Sequence, residues 1–435
     1  HDDGCEVNFY LETNHFWKSV GRMLVYSLIA IAISMIIVYP SYYSLQFGKT
    51  TFSTTKWSVG QNFDFLDLFV KFFPGSYDTV RPEGLPFVYC GIIAVMLLPV
   101  YFISSKISSK ERIAGGVVLG MFVLFFNTYA IDIVWHGFQR PNWLNYRYSF
   151  MFIFLILVMA YKGFCNLRNL SYKYVAVFGG VLIIILMFIQ KQDYEFLDDQ
   201  EAIWLSIALI AAYLILLYSE HTSFNGRAKT IATSTVLLVV CLELFLSGLL
   251  NTLDLHDDVV ISSRDSYVNY IEKMQPLVDY VKENDTSPFY RMEKDIHRKT
   301  NDPMSLGFNG ISSSTSTLNA SVIQLLNRMG YASKSHWTKY LGGTPVSDAL
   351  LGIKYLILDG EAENDALEKI YTDEEHGYYI YKNPYALSIG YGVSDKINDI
   401  EITDWDSAPE FLNELISKML DDDSCMPFEK LTVID

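Results

Sequence analysis

The sequence predicts an α-helical polytopic membrane bundle followed by a water-exposed α/β domain on the outer face. Three observations carry this. Seven apolar segments approach the ~20 residues needed to cross ~30 Å of hydrocarbon. Charge is segregated: up to Leu250 there are 17 acidic and 17 basic residues, whereas from Asn251 to Asp435 there are 32 acidic and 16 basic, so the second part carries the whole net charge of −16. Finally, clusters of Lys and Arg recur at every alternate connection, which a single membrane orientation satisfies.

In chain order, residues 1–22 read as a segment on the cytoplasmic side, 23–250 as the bundle and 251–435 as the acidic extracytoplasmic domain. The spans are expected near 23–43, 85–103, 113–134, 148–161, 174–190, 202–218 and 231–250, the fourth being the shortest. Lys18 and Arg22 precede the first. Lys106, Lys110 and Arg112 lie between the second and third; Lys162, Arg168 and Lys173 follow the fourth; Arg227 and Lys229 follow the sixth. The connection 191–201 is acidic instead, with Asp193, Glu195, Asp198 and Asp199. The seventh span therefore exits outward. His1 in place of Met, with a polar 1–14, marks a processed or truncated product without a signal peptide.

Two outer connections stand out. Phe63-Asp-Phe-Leu-Asp-Leu-Phe-Val-Lys-Phe-Phe73 is too short and too charged to span, and suits a helix lying at the interface. Trp135-His-Gly-Phe-Gln-Arg-Pro-Asn-Trp-Leu-Asn-Tyr-Arg-Tyr148 combines an aromatic belt with charge at the membrane edge. Beyond Leu250, apolar residues from Tyr267 to Val281 recur at helical spacing, with Pro276 expected to divide them into two helices. Leu318 to Met329 predicts a helix closed by Gly330, and Ser312 to Thr317 a loop. Lys354 to Leu358 reads as a strand stopped by Asp359-Gly360; Tyr378 to Lys382 and Ala386 to Val393 read as two strands around Asn383-Pro384.

No Walker loop, dinucleotide fingerprint, nucleophile elbow or metal-ligand spacing appears, and no cofactor is called for. Five scattered cysteines give no disulfide framework. The acidic balance argues against nucleic acid as a partner, because neutralising phosphates requires clustered Lys and Arg. What remains is a constellation at the outer surface. Asp78 and Arg81 occupy the first outer connection; Asp132, His136, Arg140, Asn142 and Arg147 border the second. A guanidinium grips a phosphate through two parallel hydrogen bonds, and His136 or Asp132 would take a proton from a hydroxyl held within reach. Against this stand blander readings: headgroup snorkelling for the arginines, a solvated carboxylate for Asp132 and a turn residue for Asp78. Glu243 lies inside the seventh span, where an ionisable side chain needs a partner or water. A structural ion pair and a cavity-facing role are both open to it.

At these residues the chain resembles the YfhO family of bacterial membrane proteins, of the broad GT-C glycosyltransferase class. The likeness rests on Phe73-Pro-Gly-Ser-Tyr-Asp-Thr-Val-Arg-Pro-Glu-Gly-Leu-Pro86 and its approach from Phe63, and on Arg140-Pro-Asn-Trp-Leu-Asn-Tyr-Arg-Tyr-Ser-Phe150. It rests also on Tyr290-Arg-Met-Glu-Lys294, Asn301-Asp-Pro-Met304, Leu351-Gly-Ile-Lys-Tyr-Leu356 and Tyr381-Lys-Asn-Pro-Tyr-Ala-Leu387. The resemblance implies transfer of a sugar from a polyprenyl-phosphate carrier to an anionic cell-wall polymer outside the cell, such as lipoteichoic acid. It further implies plasma-membrane localisation, with Arg81, Arg140, Asn142, Arg147 and Glu243 toward the substrate and Asp78, Asp132 and His136 as candidate acid–base groups. Because family members are longer, with further helices before residue 23, the chain reads as a middle fragment whose principal base lies elsewhere. A transporter or flippase for a lipid-linked precursor is the alternative; a membrane anchor whose outer domain binds wall polymer is a third.

Overall fold

The computed structural model describes residues 13–48, 57–141, 143–191, 200–222, 226–259, 261–400 and 407–429. The chain divides into two compact units. One is built from Thr55–Ile261; the other combines the first helix, α1 (Thr13–Gln46), with Ser262–Asp435.

In the first unit the helices are α2 (Phe65–Val70), α3 (Ile92–Ile103), α4 (Ser109–Asn127), α5 (Tyr129–Trp135), α6 (Ser149–Cys165), α7 (Tyr172–Lys191), α8 (Gln200–Thr222) and α9 (Gly226–Asp258). α3 packs against α6, α7 and α8, and α8 packs between α7 and α9. Close approach is built from small residues: a side chain at Gly163 of α6 would meet the Leu97 carbonyl of α3 at 2.6 Å. The core gathers Ile92, Met96 and Val100 of α3 with Phe126, Ile156, Leu186, Ile210 and Tyr213. Large apolar side chains such as Phe154, Ile184, Ile215 and Phe245 point outward instead, a surface suited to lipid.

Among the described residues four helices are long and apolar enough to cross a membrane: Phe16–Gln46, Tyr172–Lys191, Gln200–Thr222 and Gly226–His256. The sequence predicts seven such segments, and the shortfall has local causes. The second segment is helical only from Ile92, because Gly91 adopts φ 93° and the chain before it is irregular. At ~1.5 Å per residue the 12-residue α3 falls well short of ~30 Å. The third breaks at Thr128 (φ −102°, ψ 112°), where Gln61 pairs with Thr128 and the Asn127 side chain accepts from the Asn62 and Phe63 N–H groups at 3.1 and 3.2 Å. The fourth is a 17-residue apolar helix. The expected interfacial helix shrinks to the six residues of α2. The acidic stretch 192–199 lies outside the described residues.

In the second unit α10 (Arg264–Asn284) is followed by β1 (Arg291–Lys294), α11 (Asp302–Leu306), β2 (Ser313–Ser314), α12 (Ala320–Arg328), β3 (Ala332–Lys334), β4 (Trp337–Lys339), α13 (Pro345–Leu350), β5 (Ile353–Asp359), β6 (Glu368–Asp373), β7 (Tyr378–Lys382) and α14 (Ala408–Leu420). The main sheet runs β1-β5-β7-β6, parallel between β1 and β5 and antiparallel elsewhere; a second, antiparallel sheet runs β2-β4-β3. Met274, Leu277, Val278 and Val281 of α10 pack on Met292, Tyr355, Ile357 and Ile380. Leu326, Phe411 and Leu412 of α12 and α14 pack with Leu356 and Tyr381, which alternate with that first set along the strands.

Three expectations need correction. Pro276 does not divide α10: the apolar stripe continues through it and its burial outweighs the ~3 kcal/mol a mid-helix proline costs. Residues 386–393 form no strand. Part of the expected Ser/Thr loop is β2. α1 ends in a turn whose Phe47 carbonyl accepts from Ala320 N at 2.6 Å, the first N–H of α12. No residue of its most apolar window is buried within the protein.

Candidate functional site

Proline and glycine punctuate the connection before α3 and the one between α5 and α6, so neither can run on as helix. The two are stitched together. Leu144 N donates to the Val80 carbonyl at 2.6 Å, the Asn145 amide donates to the Arg81 and Gly84 carbonyls at 2.9 and 3.4 Å, and Arg140 Nη2 reaches the Pro82 carbonyl at 3.5 Å. The second connection is held in an uncommon shape: Gly137, Phe138, Leu144 and Tyr146 all have φ between 52° and 67°. For the three that carry side chains this stores of order 1–3 kcal/mol each, which the surrounding bonds must sustain.

One carboxylate organises the first connection. Asp258 Oδ2 accepts from the Tyr77 hydroxyl (3.0 Å), the Thr79 hydroxyl (2.8 Å) and Val80 N (2.9 Å). Arg81 Nε lies 3.1 Å from Asp258 Oδ1, and its Nη2 donates to the Asp258 carbonyl at 3.2 Å. The Val80 N–H, joined by Thr79, Tyr77 and the Arg81 charge, holds this carboxyl below its ordinary range against the effect of burial. Arg81 stays half exposed over the Trp143 ring, at 6.0 Å. Nothing in the local sequence pointed to Asp258; its signal is only a carboxylate placed just past the end of a span.

Asp78 is engaged on both oxygens. Oδ1 pairs with the ammonium of Lys71 at 2.9 Å and Oδ2 accepts from Leu85 N at 2.7 Å. Lys71 is 1% exposed, also donates to the Ser76 carbonyl and sits over Phe87. Burial pushes its ammonium below the ordinary lysine range, with Asp78 opposing. Lys71, unremarked in the sequence, is therefore the partner that fixes Asp78.

Asp132 and His136 meet one helical turn apart, Oδ1 to Nε2 at 3.3 Å, and Tyr148 donates to Asp132 Oδ1 at 2.9 Å. The same Nε2 receives Tyr146 N at 3.2 Å. A ring nitrogen either accepts or donates, so Nε2 serves the Tyr146 N–H or the Asp132 carboxylate, and in either case it is engaged. Trp135 stacks on Tyr148 at 4.8 Å. Arg147 donates through Nε and Nη2 to the Leu144 and Trp143 carbonyls, both at 3.1 Å, which steadies the left-handed Leu144. Arg140 is exposed, with its guanidinium 5.8 Å from the Tyr129 ring. Asn142 lies outside the described residues.

Glu243 stands apart from this surface. It is 1% exposed, and its oxygens accept from the Tyr89 hydroxyl (2.6 Å), Ile92 N (2.7 Å) and the Tyr213 hydroxyl. A carboxylate at the first N–H of α3 suits the positive end of that helix. Three donors satisfy it without a basic partner among the described residues.

Apolar helices of spanning length, joined to an α/β unit and crowned by a cationic and aromatic surface, define an integral membrane protein. The chain belongs to the YfhO family: the family described as "Bacterial membrane protein YfhO" matches residues 7–427. A curated relative from Bacillus subtilis (strain 168), the "Uncharacterized protein YfhO", is 26% identical over 307 residues, covering 68% of this chain and 34% of the relative. The chain thus spans about a third of that relative's length. No solved structure matches it.

Proposed function

We propose that this chain forms part of a membrane glycosyltransferase. It would move a sugar from a polyprenyl-phosphate donor to an anionic cell-wall polymer, such as lipoteichoic acid, on the outer side of the bacterial plasma membrane. The observation that carries the reading is the stitching of the Tyr77 to Leu85 stretch to the Trp143–Asn145 backbone, which gathers Arg81, Arg140 and Arg147 beside Trp143 and Tyr129. Guanidiniums and indoles at an interface match a lipid phosphate on a hydrocarbon chain. Arg140 and Arg81 keep N–H groups for the departing phosphate, while Arg147 holds the loop that carries them. Asp132 is the group best suited to take the acceptor proton, since its described bonds fall on Oδ1 alone, whereas both oxygens of Asp78 and Nε2 of His136 are engaged. The multi-pass topology and the outward acidic domain belong to the same proposal.

The transport alternative would rest on Glu243, and that carboxylate is already occupied as the cap of α3. An acidic outer domain also repels anionic polymer, which weighs against a mere wall-binding anchor. The test is composition analysis of teichoic acids from cells with and without the gene, and with Arg147→Ala in the full-length protein. Loss of a hexose decoration while Arg147→Ala still inserts normally is the expected result. Undiminished decoration overturns the reading, and a lipid-linked sugar confined to the inner leaflet would favour transport.

A further inference from the structure

We propose that Asp258, the last residue of α9, is a positioning residue for a phosphate-binding guanidinium on Arg81. This deepens the function proposed above and rests on it. Asp258 offers Arg81 two acceptors of different kinds, the side-chain Oδ1 at 3.1 Å and its own backbone carbonyl at 3.2 Å. Two points of attachment fix the plane of a guanidinium, whereas one would leave it to swing. Of the five N–H groups this uses Nε and one of Nη2, so Nη1 remains for a ligand. The carboxylate does not cancel the arginine charge one for one. Its other oxygen already serves Tyr77, Thr79 and Val80, which spread the negative charge away from the guanidinium. Arg81 is 51% exposed on its side chain while Asp258 is 11% exposed: the anchor is sheltered and the cation is presented. Trp143 beneath the guanidinium adds an apolar face of the kind a prenyl chain needs. Arg140, on the same stitched surface through the Pro82 carbonyl, supplies a second cation.

The competing view is that Asp258 only pins a loop. A double-mutant cycle separates the two, because a residue acting through Arg81 adds nothing once Arg81 is gone. The measurement is binding of farnesyl phosphate, farnesol and inorganic phosphate to the full chain in lipid nanodiscs. Expected is a preference for farnesyl phosphate over farnesol. Asp258→Asn and Arg81→Met should each weaken farnesyl phosphate binding about tenfold, as for loss of one charge-assisted hydrogen bond. The double variant should be no weaker than Arg81→Met alone, and farnesol binding should not move. Ser76→Ala, which loosens the same connection at its 2.7 Å hydrogen bond to the Phe73 carbonyl and leaves Arg81 and Asp258 alone, should keep the affinity. Inorganic phosphate competing with the same dependence assigns the site to free phosphate as well; failure to compete assigns it to the lipid headgroup, and either supports the site. Additive losses, equal losses for farnesol, or a Ser76→Ala defect as large as that of Asp258→Asn overturn the proposal. An intact cycle in a protein that transfers no sugar would overturn the transferase reading alone.

Discussion

Oε1 of Glu243, on α9, accepts a 2.7 Å hydrogen bond from the backbone N–H of Ile92, where α3 begins. The carboxylate thus caps a helix to which its own is not joined in sequence, and Tyr89 and Tyr213 complete its shell.

Replacing Glu243 with Ala strands two tyrosine hydroxyls and a helix N–H, each worth about 1–3 kcal/mol when buried without a partner. Thermal unfolding of the detergent-solubilised protein should show a loss of about 3 kcal/mol or more. Glu243→Gln, which keeps an acceptor for Ile92, should lose less than half of that. Wild-type stability for the alanine variant would refute the capping role.

Lys71 and Asp78 form a buried pair, and removing one partner leaves the other's charge unmatched. Lys71→Met should destabilise by about 3–5 kcal/mol, and the added change Asp78→Asn should recover part of it. Because burial lowers the Lys71 pKa, the unfolded chain holds that proton more tightly. Stability should therefore rise with pH between the depressed folded value and the ordinary 10.5, and Lys71→Met should lack that rise. Denaturant unfolding from neutral to alkaline pH compares the two.

In the second unit Asp285 accepts from Lys354 (2.6 Å), Tyr355 (3.0 Å) and Ser287 N (2.8 Å), which outweigh burial and hold its carboxyl well below the usual range. A depressed carboxylate stabilises the fold above its unfolded pKa of ~3.9, and that contribution fades as pH falls toward the folded value. Hydrogen exchange of β5 from pH 6 down to pH 2 should show wild-type protection falling more steeply than in Asp285→Asn. Parallel curves would remove this pair from the acid response.

If sugar transfer is established, Asp132→Asn should lower its rate about a hundredfold or more, as loss of a general base does. His136→Asn should lower it less than tenfold, since Nε2 is already engaged between Tyr146 N and Asp132 and the asparagine amide offers both an acceptor and a donor in its place. A reversed order would make His136 the base. Rates with a short-chain donor decide between them.

Helix existence was legible in the apolar runs before Leu250, because segments of spanning length have no other satisfied state in lipid, whereas α11, α13 and α14 of the second unit carried no such signal. The breaks were not. Gly91 looked like any small residue in an apolar run until its φ of 93° ended the second segment, and the Asn62 to Asn127 clasp is a long-range contact without local signature. β5 and β7 announced themselves by β-branched and aromatic runs between turn residues, whereas β1 and β6 are too charged to read as strands. At the site, pattern found the arginines but not what fixes them. Asp258 and Lys71 act across 177 and 7 positions of sequence, and only folding discloses such pairing. Two family motifs of the second unit meet in the fold: Lys294 and Asp302 are buried partners at 2.6 Å, and Asn301 ties β2 in place.

The hydrogen bond from Ala320 to the carbonyl of Phe47 makes the second unit discontinuous, with all of Thr55–Ile261 synthesised between its two pieces. On the ribosome α1 emerges early and must wait for α12 before that bond can close, while the intervening unit emerges ahead of α12 and can begin to assemble first. Secreting the acidic half by itself would leave the first turn of α12 short of an acceptor, so a secreted version should begin with a substitute for that carbonyl.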